Sequence, residues 1–126
     1  MSKNALKIIS DAMDDLKITY GFGTLDGPVS YPYFVGEYTE NEPMTEDGLQ
    51  EATFLLTGFS RDEWITLEDA REAIERKFNR VSGETVMADD GSAVAIFYAG
   101  AIIVPTGNGE LKSIQINLNI KEWKVN

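Results

Sequence analysis

The fold is decided by residues 31–78, which read YPYFVGEYTENEPMTEDGLQEATFLLTGFSRDEWITLEDAREAIERKF. Two apolar runs in this stretch, YPYFVGEY and ATFLLTGF, alternate with the period of two residues that is typical of paired strands. In the second run Phe54 and Leu56 lie on one face, while Thr53 and Thr57 lie on the other. We therefore expect two strands that present an apolar face and need a covering layer.

Two amphipathic helices are predicted to supply that layer. The first lies within residues 3–17, and its apolar positions are Ala5, Leu6, Ile9, Ala12, Met13 and Leu16. The second opens at Thr66, because a hydroxyl followed three residues later by Asp69 is typical of a helix N-cap. It runs to Phe78, and its remaining apolar positions are Leu67, Ala70, Ala73 and Ile74.

The stretch from Ala93 to Val104 is apolar on both faces of a predicted strand. Such a strand is covered twice within its own subunit, or once within the subunit and once by a neighbour. Alternation around Gly100, which marks a bulge or a bend, puts Val94, Ile96, Tyr98, Ile102 and Val104 on one face and Ala93, Ala95, Phe97, Ala99, Ala101 and Ile103 on the other. The predicted subunit interface consists of Ala95, Phe97, Ala99, Ala101 and Trp123.

The pair Asn108-Gly109 predicts a hairpin that leads into the closing strand. In that strand Ile114, Ile116, Leu118 and Ile120 alternate with polar residues, and the apolar phase then shifts to Trp123 and Val125. The shift indicates either a bulge or a strand end directed outside the core. Residues 18–22 and 85–88 are candidates for further short strands.

These elements predict one α+β domain over residues 1–126, with an antiparallel sheet of four to five strands and two helices on one face. The acidic connection 39–51 is expected to be a loop inserted between two strands. It is either a solvated surface loop or a hairpin tip that contacts a channel or a partner. Its acidic residues are Glu40, Glu42, Glu46, Asp47 and Glu51.

Composition narrows the classes of function. The chain has a formal charge of −10 and contains neither histidine nor cysteine. The charge disfavours specific nucleic-acid binding. The missing histidine and cysteine remove the commonest general base, the commonest metal ligand, thiolate nucleophiles and thiolate metal sites. No apolar run is long enough to span a membrane, and no secretion signal is expected. The sequence thus predicts a protein that is not an enzyme and has no catalytic, cofactor or metal site.

The chain resembles the tail terminator or tail-completion proteins of tailed bacteriophages and prophages. The resemblance lies in the strand PYFVGEY, the acidic connection, the strand ATFLLTGFSR and the helix LEDAREAIERKF. The helix ALKIISDAMDDL and the closing strand SIQINLNIKEW extend the same order of elements over nearly the whole chain. The sequence departs from the family pattern in the GFSRDEW end of the second strand and in the length of the acidic connection.

This resemblance implies a structural protein of virion assembly, located in the tail or neck of the virion and in the host cytoplasm during assembly. Its copies would form a ring, typically a hexamer, that caps the tail tube and meets the head-tail connector. DNA would pass through an acidic channel without specific binding, and no cofactor is implied. An alternative of a different class is a small acidic dimeric chaperone or binding module of the secretion-chaperone type.

Overall fold

The computed structural model describes residues 1–25, 27, 29–40, 48–79, 83–87 and 91–124. Over these residues the chain has an α+β fold of two α-helices and six strands. In chain order they are α1 (Lys3–Asp15), β1 (Thr19–Phe22), β2 (Tyr33–Glu40), β3 (Leu49–Ser60), α2 (Trp64–Lys77), β4 (Glu84–Met87), β5 (Ala93–Ile103) and β6 (Lys112–Trp123).

The strands form one mixed sheet in the order β1-β2-β3-β6-β5-β4. All neighbouring pairs are antiparallel except β1 and β2, which are parallel. The predicted α+β class with two helices is confirmed. The sheet differs from the prediction in detail, because it has six strands instead of four to five and one edge pair is parallel. Both candidate short strands join the sheet as its edges, and side-chain alternation does not encode the direction in which a strand runs.

One face of the sheet packs against both helices and forms the core. The register places Leu56 opposite Ile116 and Phe54 opposite Leu118, so the centre of this face is apolar in β3 and β6. The fully buried residues that the helices contribute include Ile9, Met13, Leu67, Ile74 and Phe78. The two predicted helices and the alternation in both central strands are thus confirmed, because the apolar faces meet in one core cluster.

The N-terminus of α1 is tied to the end of β6. Ser2 accepts a hydrogen bond from the backbone N–H of Ala5 at 3.1 Å, which is N-cap geometry. Its own N–H donates to Glu122 at 3.1 Å, and its hydroxyl donates to the same carboxylate. Glu122 therefore occupies the next core-side position after Ile120, and the β3–β6 register continues without interruption. The shift in apolar phase reflects this buried glutamate and not a bulge in β6.

The prediction that Thr66 caps α2 is wrong. The helix begins at Trp64 with Glu63 as its N-cap residue, and Glu63 makes no side-chain cap hydrogen bond to the described residues. The N–H of Thr66 instead donates to the Glu63 carbonyl at 3.1 Å. The hydroxyl of Ser60 accepts from the N–H of Asp62 at 3.0 Å, so the turn after β3 is already complete and the helix starts two residues earlier.

The acidic connection is shorter than the predicted loop 39–51. Strand β2 extends to Glu40 and β3 begins at Leu49, because Glu40 pairs with Ala52 and the ladder therefore includes both ends of the acidic stretch. Glu40 and Glu51 thus lie in strands. The predicted loop residues Glu42, Glu46 and Asp47 lie outside the described residues.

Candidate interaction surface

The sheet face opposite the helices is the largest candidate surface, and we call it the open face. Among the described residues, both helices pack on the other side of the sheet. Side chains of the open face therefore pack against the side chains of neighbouring strands and not against a helix. As a result Leu55, Thr57 and Phe59 of β3 are half-buried. A sheet that is covered on one side only can pack its second side against another sheet or subunit.

The open face is poor in charge for a chain with 11 basic and 21 acidic residues. Strand alternation places Glu37, Glu51 and Lys121 there among the described residues. Lys121 and Glu51 lie opposite each other across β3 and β6, with Nζ and the carboxylate oxygen 4.0 Å apart. Their charges largely cancel, so Glu37 is the main source of net charge on the described part of the open face.

The helix side, in contrast, carries dense charge. Arg71 of α2 donates to Glu68 at 2.9 Å and to Glu75 at 3.2 Å, and it also reaches the Tyr98 hydroxyl at 3.4 Å. The hydrogen bonds to Tyr98 and Glu68 raise the pKa of Arg71 above its ordinary value. Exposed acids on α1, such as Asp14 and Asp15, add negative charge to the same side of the molecule. The two sides of the sheet thus have different electrostatic character.

Polar side chains of β6 form a row along the middle of the open face. Ser113 is fully buried, and no described residue forms a hydrogen bond with its hydroxyl. The Asn117 side-chain oxygen is likewise buried without a partner among the described residues. A buried polar atom without a hydrogen bond costs about 1–3 kcal/mol. Both atoms are buried, so they lie beneath the open face and are not accessible to a docked surface.

An aromatic cluster lies at one end of the open face. The ring centroids of Tyr31 and Tyr33 are 5.5 Å apart, and those of Tyr33 and Phe59 are 5.2 Å apart. The guanidinium of Arg61 lies 5.8 Å from the Tyr31 ring centroid and donates to its hydroxyl at 3.2 Å. Aromatic rings and arginine are enriched at the centres of protein interfaces. The cluster therefore extends the interaction surface to the end of β3.

The structure separates the five predicted interface residues. Ala95, Phe97 and Trp123 lie on the open face, where Ala95 pairs with Lys121 and Phe97 pairs with Asn119. Ala95 is only 3% exposed, whereas Trp123 is 38% exposed. Of these three residues, Trp123 is thus accessible, Phe97 is half-buried and Ala95 is already packed.

A β-bulge at Ala99 explains why the other two predicted residues lie elsewhere. The pairing of β5 with β6 shifts between Tyr98 and Gly100, so that Ala101 pairs with Ile116 on the helix side. The predicted face for Ala101 is therefore wrong, and Ile103 moves with it to the helix side. Gly100 has a φ of 124°, which favours glycine at the position after the bulge.

The predicted acidic residues do not form one group over the described part of the chain. Glu40 accepts the N-terminal ammonium of Met1 at 2.5 Å on the helix side, and this partner lowers the pKa of Glu40. Glu51 pairs with Lys121 on the open face. The two strand positions thus have separate local partners, and neither contributes to a shared acidic cluster.

A shallow cleft of about 430 Å³ lies over the bulge, lined by Phe97, Tyr98, Ala99, Asn119 and Lys121. Within the described ranges, no group of three or more acidic side chains has a geometry that could hold a metal ion. Neither described helix is long and apolar enough to cross a membrane. The clearest feature of the described surface is therefore an extended sheet face.

Sequence reasoning missed the central part of this surface. Gln115, Asn117 and Asn119 were expected to be the polar side of a half-buried strand, and their positions agree with that expectation. The sequence gives no signal that the oxygen of Asn117 is buried without a partner, since this depends on the neighbouring strands. Comparisons with models of known protein families and with curated protein sequences find no match to this chain.

Proposed function

We propose that this chain is a structural assembly protein of a tailed bacteriophage or prophage, a tail terminator or tail-completion subunit. Its copies dock against one another to form a ring. The ring caps the tail tube and meets the head-tail connector in the neck of the virion. The protein acts through its surfaces, without a cofactor and without catalysing a reaction.

The observation that carries the proposal is the contrast between the two sides of the sheet. A chain with a net charge of −10 keeps its open face almost free of net charge. Interface centres are depleted of charged residues and enriched in aromatic residues. The open face combines both properties, with Tyr33 and Phe59 stacked near one end. These features favour docking between copies of the chain through this face.

The anionic helix side supports the second part of the proposal. Exposed carboxylates on α1, including Asp14 and Asp15, present negative charge where the open face presents little. A negatively charged surface repels phosphate groups, so DNA that passes such a surface gains no counterion release from contact. A ring that directs these residues to its channel would let DNA through without holding it.

The test is a pair of asparagine substitutions on opposite sides of the sheet. Asn119 is exposed at the centre of the open face, and Asn4 is exposed on α1. N119R adds a long cationic side chain to the docking face and removes no buried apolar group, whereas N4R makes the same change on the helix side. We expect both variants to fold with wild-type circular dichroism and melting temperature.

The readout is ring formation, measured by light scattering and negative-stain electron microscopy. The assay uses the protein alone and the protein mixed with tubes of the tail-tube protein encoded in the same genome. Wild-type and N4R proteins should form rings or add to tube ends, and N119R should do neither. Equal assembly by N119R would exclude the open face. A stable dimer that binds an unfolded client and never joins tubes would replace this proposal by the chaperone alternative.

A further inference from the structure

A second surface lies at the edge of the sheet, where β5 extends beyond its neighbour β4. Among the described residues, strand β4 pairs with β5 from Ala93 to Ile96, and β5 continues to Ile103. Beyond β4, the Tyr98 N–H donates to the Phe78 carbonyl at 2.7 Å, which covers the first part of the remaining edge. The edge of β5 after Tyr98 is a separate feature from the open face, because a strand edge presents backbone groups.

The direction of the backbone groups along this edge follows from one hydrogen bond. The Val104 N–H donates to the Ser113 carbonyl at 3.0 Å, so the backbone of Val104 is directed toward β6. In an antiparallel ladder these directions alternate, which turns the N–H and C=O groups of Ala101 and Ile103 away from β6. In the described part of the chain, no backbone hydrogen bond outside the helices and strands involves either residue. Pro105, which has no N–H, ends this stretch.

Natural proteins protect exposed strand edges with charges, prolines or covering segments. Here the sequence from Ala93 to Gly109 contains no charged residue. The side chains at the edge are apolar and accessible, since Ile102 is 57% exposed and Ile103 is 65% exposed. An uncharged apolar edge is a template for the addition of another strand.

We propose that this edge pairs with the same edge of a second copy of the chain, antiparallel and across a two-fold axis. Ile102 of one copy then faces Ile102 of the other, and Ala101 exchanges backbone hydrogen bonds with Ile103 of the second copy. This register uses the outward-facing groups of both residues. It also brings two chains with a charge of −10 together at a stretch where neither carries charge, so like-charge repulsion is smallest there.

Cysteine cross-linking tests the register directly, because the chain has no cysteine of its own. Ile102 and its counterpart would form a pair without mutual hydrogen bonds, in which the Cα atoms are about 4.5 Å apart and within disulfide range. I102C should therefore give a disulfide-linked dimer under mild oxidation. I103C should not, because Ile103 faces Ala101 of the other copy and the two cysteines would lie beyond the roughly 7 Å limit.

A lysine pair tests the association without cross-linking. I102K places two ammonium groups opposite each other, and like charges at directly opposed strand positions are destabilising. The matched control is V29K, since Val29 is 55% exposed and lies in the connection between β1 and β2 near the opposite edge. Sedimentation equilibrium should give a dissociation constant about tenfold or more higher for I102K, and an unchanged one for V29K.

The outcomes separate this inference from the ring proposed above. A monomeric wild-type chain at all accessible concentrations, or equal cross-linking of I102C and I103C, would overturn edge pairing. Cross-linking of I102C to a different protein in place of itself would overturn it as well. Loss of rings in N119R with a normal I102C dimer supports both ideas. An I102C dimer from a chain that never forms rings supports edge pairing and contradicts the proposed function.

Discussion

The two faces of the sheet are formed by the same strands but differ in side-chain composition and in burial. On β3, Phe54 and Leu56 are fully buried against the helices, whereas Leu55 and Thr57 on the other face are half-buried. The helix side holds the apolar core and the dense surface charge, whereas the open face holds mainly aromatic, aliphatic and amide side chains with few charges. One strand can thus specify folding on one side and association on the other.

This contrast gives a physical reason for the pattern of side chains in β6. Its core-side positions Ile114, Ile116, Leu118 and Ile120 are buried, and its opposite positions from Ser113 to Asn119 are serine, glutamine and asparagine. Amide and hydroxyl groups keep a face soluble when it is free and can form hydrogen bonds when it is docked. An apolar row at these positions would favour aggregation, and a charged row would oppose contact between copies.

The largest expected effect comes from neighbouring leucines that point to opposite faces. L56A removes a fully buried side chain from the core, and it should lower the free energy of unfolding by about 2–5 kcal/mol. L55A truncates the same kind of side chain on the open face, where it is half-buried, and should cost about 1 kcal/mol or less. Urea unfolding monitored by tryptophan fluorescence measures both values.

Protein concentration separates folding from association in this experiment. The loss in L56A should be the same in dilute and concentrated samples, because the core lies within one chain. L55A should lose stability mainly in concentrated samples, in which docking contributes to the folded state. Equal losses in the two variants at low concentration would mean that the open face is as tightly packed as the core.

A smaller loss of stability is expected from a substitution at Gly58, because the core leaves no space there for a side chain. A Cβ atom added at Gly58 of β3 would overlap the ring of Phe34, which is buried on the helix side. G58A should therefore force the ring to move and destabilise the fold by about 1–3 kcal/mol.

Gly109 offers the control for this substitution. A Cβ atom there meets nothing within 4 Å, so G109A should leave the midpoint of thermal unfolding almost unchanged. If G58A and G109A unfold at the same temperature, Phe34 does not pack on Gly58 in solution. That result would weaken the distinction between the tightly packed helix side and the looser open face.

The sequence alone predicts those elements in which apolar residues recur with a clear helical or strand period. The amphipathic pattern of α1 and the alternation around Leu118 predict the structure directly, because each residue's face depends only on its own local geometry. The predicted hairpin is confirmed, since β5 and β6 pair antiparallel, but residues 104–111 connect them and the Leu111 N–H donates to the Asn108 carbonyl at 3.1 Å, which centres the turn on Gly109 and Glu110.

The rest depended on contacts between distant segments. The bulge at Ala99 moves the side chain of every later residue of β5 to the opposite face of the sheet. Because β5 is apolar on both faces, its sequence pattern looks the same with or without this change. The buried Glu122 is stabilised by Ser2 from the other end of the chain, which no local pattern encodes. The parallel pairing of β1 with β2 and the short reach of β4 are likewise properties of the whole sheet.

The smallest effect concerns a polar atom buried on the helix side, in contrast to those on the open face. The hydroxyl of Tyr20 has no hydrogen-bond partner among the described residues, and burial raises the pKa of Tyr20 from 10.0 to about 12. Since the neutral form is favoured in the folded chain, the stability linked to this group is complete below pH 10. It is lost as the pH rises through about 12.

Ultraviolet titration should show one tyrosine of the five that ionises last, and Y20F should remove that step. Because Y20F deletes an unpaired hydroxyl, it should change stability at neutral pH by about 1 kcal/mol or less, in the favourable direction. Ionisation of Tyr20 near pH 10 would mean that the packing of β1 against the core is open to water.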